Sequence, residues 1–107
     1  MKLPARRETR RSKEQWLGTS AALTMYVDVG FDPKSRRPLE IFIVAGKTGT
    51  LLNFAGHDLG ELLSLALQHG HSIPALQARF KPDSLATFAL ALAAEMTAEF
   101  QAERPAR

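Results

Sequence analysis

The sequence predicts an α+β domain, and three features predict it. Two runs, residues 23–31 and 39–45, alternate apolar and polar side chains with the period of two that marks a strand with one buried face. The link between them, "DPKSRRP", is rich in turn formers and short enough for an antiparallel hairpin. From residue 52 onward the apolar spacing changes to the threes and fours of helices. Two or three antiparallel strands, a hairpin or small sheet, gathered first with three helices after them indicate α+β rather than an alternating parallel sheet.

The elements follow in order. Residues 1–18 read as a basic N-terminal arm or extended lead-in, with Trp16 and Leu17 as bulky anchors, and residues 19–103 as a single domain. A first strand, about 22–31, turns Leu23, Met25, Val27, Val29 and Phe31 one way. A second, about 39–46, puts Leu39, Ile41, Ile43 and Ala45 on one face and Glu40, Phe42 and Val44 on the other. Apolar Phe42 and Val44 on that second face imply a strand covered on both sides, as an inner strand is.

A helix over about 52–69 carries Leu59, Leu62, Leu63, Ala66 and Leu67 as its core stripe and ends at Gly70. Gly56 and Gly60, four apart on one face, weaken that helix and so predict a close approach by another element. A short helix, about 73–79, begins with Ser72 as N-cap and Pro74 in its first turn. The last helix, about 84–101, takes Asp83 as N-cap and stripes Leu85, Phe88, Ala89, Leu92, Met96 and Phe100. Leu90, Ala86, Ala93 and Thr97 form a second, milder face, suited to extra burial or to a partner chain.

The bulk properties exclude several classes. With 107 residues, 45% hydrophobic and 23% charged, the chain has one ordinary domain's worth of material. It has no run of 18 apolar residues to span a membrane and no apolar h-region after its basic start, so a cytoplasmic protein is expected. The absence of cysteine excludes disulfides, thiolate metal sites and thiol catalysis. Charge is uneven: residues 1–13 hold six cations against Glu8, a net +5, while residues 14–107 hold eight against ten, a net −2. Arg6, Arg7, Arg10 and Arg11 therefore make either a solvated terminus or a contact for nucleic acid or an acidic partner.

The string "AGKTGT" invites comparison with a phosphate-binding loop. A Walker A loop needs glycine five residues before Gly46, and that position is Ile41. The hairpin is also antiparallel, whereas P-loop strands are parallel. This is not a P-loop. Two readings of Gly46, Lys47, Thr48 and Gly49 remain. One is a tight turn that needs left-handed glycines. The other is an anion or nucleotide contact made by Lys47, Thr48 and free N–H groups, helped by Arg36 and Arg37. Glu40 is expected to pair with one of these cations. His57 with Asp58 and Glu61 reads as a solvated face rather than a metal site, and His69 and His71 flank a helix C-terminus. None of the serines sits in a G-x-S-x-G elbow. No metal, cofactor or catalytic residue is assigned.

Four strings in one order resemble a known family: Leu3-Pro4-Ala5-Arg6-Arg7, Arg37-Pro38-Leu39-Glu40-Ile41-Phe42-Ile43, Gly46-Lys47-Thr48-Gly49, and Leu62-Leu63-Ser64 through Gly70. They look like the TSCPD domain, found at the C-terminal end of cobalamin-dependent ribonucleotide reductases and also alone. The family's Ser-Cys-Pro-Asp element corresponds to Phe80-Lys81-Pro82-Asp83, with Lys81 in the cysteine's place. Ribonucleotide reduction runs through cysteine thiyl and dithiol chemistry, which this chain cannot supply. The resemblance therefore implies a non-catalytic accessory or regulatory module that binds a reductase-like partner or a nucleotide. The alternative is a small nucleic-acid-binding protein that uses the arm. Self-association is compatible with either.

Overall fold

The computed structural model describes residues 9–16 and 24–103. Among these residues, three strands, β1 (Arg10–Trp16), β2 (Thr24–Phe31) and β3 (Pro38–Ala45), precede three helices, α1 (Leu51–Gln68), α2 (Ile73–Gln77) and α3 (Leu85–Ala102). The sheet is antiparallel throughout, in the order β1-β2-β3. The α+β expectation and the hairpin of β2 and β3 are borne out.

The lead-in differs from expectation. Arg10–Trp16 is not an arm but a strand, paired in register from Arg10 opposite Gly30 to Trp16 opposite Thr24. Arg11, Lys13 and Gln15 face the helices and Ser12 and Glu14 face away, so a run with almost no apolar side chains still obeys the period of two. Its helix-facing cations meet α3: Lys13 bonds Glu95 and Glu99, and Arg11 bonds Glu103 at 2.6 Å. The carboxylates beside Lys13, Glu95 first, raise its pKa.

Met25, Val27, Val29 and Phe31 lie on one face of β2, fully buried, and Ile41, Ile43 and Ala45 continue that face on β3. α3 covers it with Ala89, Leu90, Ala93, Met96 and Phe100. The Phe100 ring stacks on Phe31 with centroids 4.2 Å apart. Leu90, Ala86 and Ala93 are thus buried within the chain, which decides the fate of the milder helix face. Asp83 sits at φ 64, and the N-cap is Ser84, whose hydroxyl accepts from the Thr87 N–H. The caps expected at Ser72 and Gly70 are present: Gly70 has φ 98, and the Gly70 and His71 N–H groups close the end of α1 on Leu67 and Ala66.

β3 is an edge strand, and its outer edge is sealed by α1. Ser64 Oγ accepts from the Ile41 N–H at 2.9 Å and donates to the Ile41 carbonyl at 3.0 Å. The Gln68 amide donates to the Leu39 carbonyl at 3.0 Å, and Asn53 to that of Ala45 at 3.4 Å. Backbone groups that an edge strand leaves open are thereby satisfied from a helix instead of a fourth strand. Such an approach leaves no room for side chains: a Cβ on Gly60 would stand 2.9 Å from the Ile41 oxygen, and one on Gly56 3.3 Å from Ile43. The predicted close approach is real, and β3 itself is the element that approaches.

Two expectations are corrected by this arrangement. Phe42 and Val44 are exposed, because the face of the sheet away from α3 is uncovered. Leu62 also points outward, and the buried stripe of α1 is Gly56, Gly60, Leu63, Ser64 and Leu67. Gly60 and Ser64 bury here because their partner is strand backbone, whereas Leu63 and Leu67 join the side-chain core.

Candidate functional site

The Gly46–Gly49 segment is built as a strand-to-helix turn. Gly46 and Gly49 have φ 64 and 85, conformations that side-chain-bearing residues rarely adopt. Thr50 closes the turn and caps α1: its hydroxyl donates to the Lys47 carbonyl at 2.7 Å and accepts from the Asn53 N–H at 3.2 Å. Lys47 and Thr48 are exposed on this turn. Among the described residues, no carboxylate pairs with Lys47.

Arg36 and Arg37 lie at the other end of β3, roughly 25–30 Å away at about 3.3 Å per strand residue. The structure does not bring them to Lys47. They also differ from each other. Arg36, at φ 62, lays its guanidinium 3.8 Å from the Phe100 ring centroid and donates to the carbonyls of Phe100 and Glu103. It therefore caps the C-terminal end of α3, where unpaired carbonyls and the helix dipole favour a cation. The loop that presents it is held by Asp32, whose carboxylate accepts from the Ser35 hydroxyl at 2.6 Å. That hydroxyl, ahead of the Ser35 N–H, holds the Asp32 pKa below the usual carboxylate range.

Arg37 is exposed and lines a groove of about 530 Å³. Three segments distant in sequence form it: Arg37 and Pro38 at the start of β3, Gly70 to Pro74 at the α1–α2 junction, and the outer side of α3 at Ala94, Thr97, Ala98 and Gln101. Prolines and small apolar residues supply most of its wall, with Arg37 and His71 as the basic groups. Among the described residues, no carboxylate pairs with Arg37. Gln101 fixes one margin by donating to the Arg36 carbonyl at 3.1 Å. Sequence reading picked out Arg37 but missed the groove and His71, since no local motif records a concavity shared by segments 30 residues apart.

The remaining candidates are engaged in the fold or lie outside the described residues. Arg10 reaches across β2, where Gly30 has no side chain to obstruct it, and bonds Glu40 at 2.5 Å. Glu40 is only 4% exposed, so its partner is Arg10 rather than Lys47, Arg36 or Arg37. Arg10 also stands 5.3 Å from the Phe42 ring, and Arg11 5.0 Å from that of Phe100. Arg6 and Arg7 lie outside the described residues. His57 Nδ1 is 3.5 Å from Asp58 on an exposed face, and among the described residues no three His, Asp or Glu side chains gather around a metal-sized space. No helix among them is long and apolar enough to cross a membrane.

The half-buried Arg10–Glu40 pair, the Gly46–Gly49 turn and Ser64 on the β3 edge give structural reasons for the motifs noted in the sequence. The family model described as the TSCPD domain matches residues 1–101, nearly the whole chain. The chain belongs to the TSCPD domain family. No curated protein and no solved structure matches it. Within this TSCPD domain, the motif residues Glu40, Gly46, Gly49 and Ser64 hold the sheet and its edge helix together, while the groove at Arg37 is formed by residues outside those structural roles.

Proposed function

We propose that this TSCPD domain is a cytoplasmic, non-catalytic binding module that takes a nucleotide and serves a ribonucleotide reductase-like partner as an accessory or regulatory piece. One observation carries the nucleotide reading: a groove with an apolar wall and two basic groups, Arg37 and His71, at its margin. A base or sugar face suits Pro38, Pro74 and Ala94, and a phosphate suits the guanidinium and imidazole donors. The exposed Lys47 turn, where no groove accompanies the charge among the described residues, is the weaker of the two sites. The arm-based nucleic-acid reading loses ground, because Arg10 and Arg11 already bond Glu40 and Glu103.

Calorimetric titration with nucleoside di- and triphosphates tests the proposal. Arg37→Ala is expected to weaken binding about tenfold or more, in line with loss of a charge-assisted contact. Lys47→Ala is expected to leave the affinity unchanged. The reverse ranking moves the ligand to the turn, and no heat of binding for any nucleotide removes the reading.

A further inference from the structure

We infer that the outer face of α1 is a self-association surface, joining two copies of this chain as an antiparallel helix pair about a two-fold axis at Asp58. This inference is independent of the groove. Four large apolar side chains stand out from α1: Leu51 is 83% exposed, Phe54 58%, Leu62 64% and Leu65 51%. At 100° per residue, they and Asp58 fall on one narrow stripe, opposite the Gly56–Gly60–Ser64 stripe that holds β3.

Their spacing specifies the partner. From Asp58, apolar residues lie four positions away on each side, Phe54 and Leu62, and seven away on each side, Leu51 and Leu65. The stripe reads the same in both directions. A two-fold antiparallel pair needs this property, because residue i must meet residue j while j meets i. Phe54 then packs on Leu62 of the other copy and Leu51 on Leu65, with steps averaging about 3.5 residues, the repeat of paired helices. A different protein or a membrane would impose no such mirror order.

The area also fits. At roughly 200 Å² for a fully exposed large apolar side chain, the four leave roughly 500 Å² per copy to cover, or about 1,000 Å² per pair. That is the lower bound for a specific interface, so the dimer is reversible. Asp58 faces its own copy at the axis and is its weak point, a central polar residue that fixes register at a cost in affinity.

The natural absence of cysteine makes the test direct. Single-cysteine variants of the full chain are oxidised and resolved on non-reducing gels. Asp58→Cys is expected to cross-link to itself, Leu51→Cys and Leu65→Cys each to remain uncross-linked alone, and their mixture to cross-link. Self-cross-linking of Leu51→Cys as efficient as that of Asp58→Cys overturns the antiparallel pair. In sedimentation, Leu62→Glu is expected to abolish the dimer while leaving the thermal midpoint measured at monomer concentrations unmoved, and Asp58→Leu to tighten the dimer at least tenfold. A chain that stays monomeric up to about 1 mM overturns the inference, as does a monomer whose stripe binds lipid vesicles instead.

Discussion

Helix α1 has two stripes on opposite sides, and they invert the usual expectation. The inner one, Gly56, Gly60 and Ser64, is small and polar, yet it is buried. The outer one, Leu51, Phe54, Leu62 and Leu65, is large and apolar, yet it is exposed. The inner stripe meets the hydrogen-bonding edge of a strand, where what matters is closeness and a hydroxyl that can both donate and accept. Among the described residues, none covers the outer stripe. Burial here follows the chemistry of the neighbour more than hydrophobicity, and a helix read by hydropathy alone is turned partly the wrong way.

Substitutions along α1 sharpen this contrast. The largest effect is expected at Gly60, where Gly60→Val places a branched side chain against the Ile41 backbone and should cost about 3 kcal/mol in urea unfolding. Gly60→Ala should still destabilise, although alanine favours an unstrained helix interior by about 1 kcal/mol. Stabilisation by Gly60→Ala would show that the helix does not sit tightly on the strand. Ser64→Ala comes next: it strands the Ile41 N–H and carbonyl, for a loss of about 1–3 kcal/mol. On the outer stripe, Leu62→Glu should change the stability of the single chain by no more than about 0.5 kcal/mol. A larger loss would place Leu62 in the core after all.

The smallest effect lies in the hairpin loop. Asp32 has a depressed pKa in the folded chain, so the stability it adds is present above its unfolded pKa and disappears as pH falls through the folded one. That window is acidic, and the carboxylate is solvent-exposed, so screening keeps the contribution small. An NMR titration should find the Asp32 pKa below the ordinary carboxylate value and Ser35→Ala should bring it back up. An unmoved pKa in that variant would assign the depression to another donor.

Much of this fold was legible in the sequence, for identifiable reasons. The β2–β3 hairpin follows from alternation, and two helix ends from Ser72 and Gly70, both local signals. β1 was not legible, because its inward side chains are Arg11, Lys13 and Gln15, which give no apolar alternation, while the heads of Arg11 and Lys13 reach carboxylates of α3 and its end. The role of Arg36 was hidden too: a cation in a basic loop gives no hint that it caps a helix 64 residues away. Lys47, Arg36 and Arg37 were the partners expected for Glu40, and its partner is instead Arg10 of β1. The groove was missed because its wall has no motif of its own.

The groove and the Lys47 turn stand at opposite ends of β3, so one titration separates them. Adding a nucleoside diphosphate to the isotopically labelled chain and following backbone amide shifts reads both ends at once. Shifts are expected to cluster at Arg37, Gly70 to Ile73 and Thr97, with residues 46–50 unmoved. Shifts confined to residues 46–50, or none anywhere at millimolar ligand, would contradict the groove as the nucleotide site.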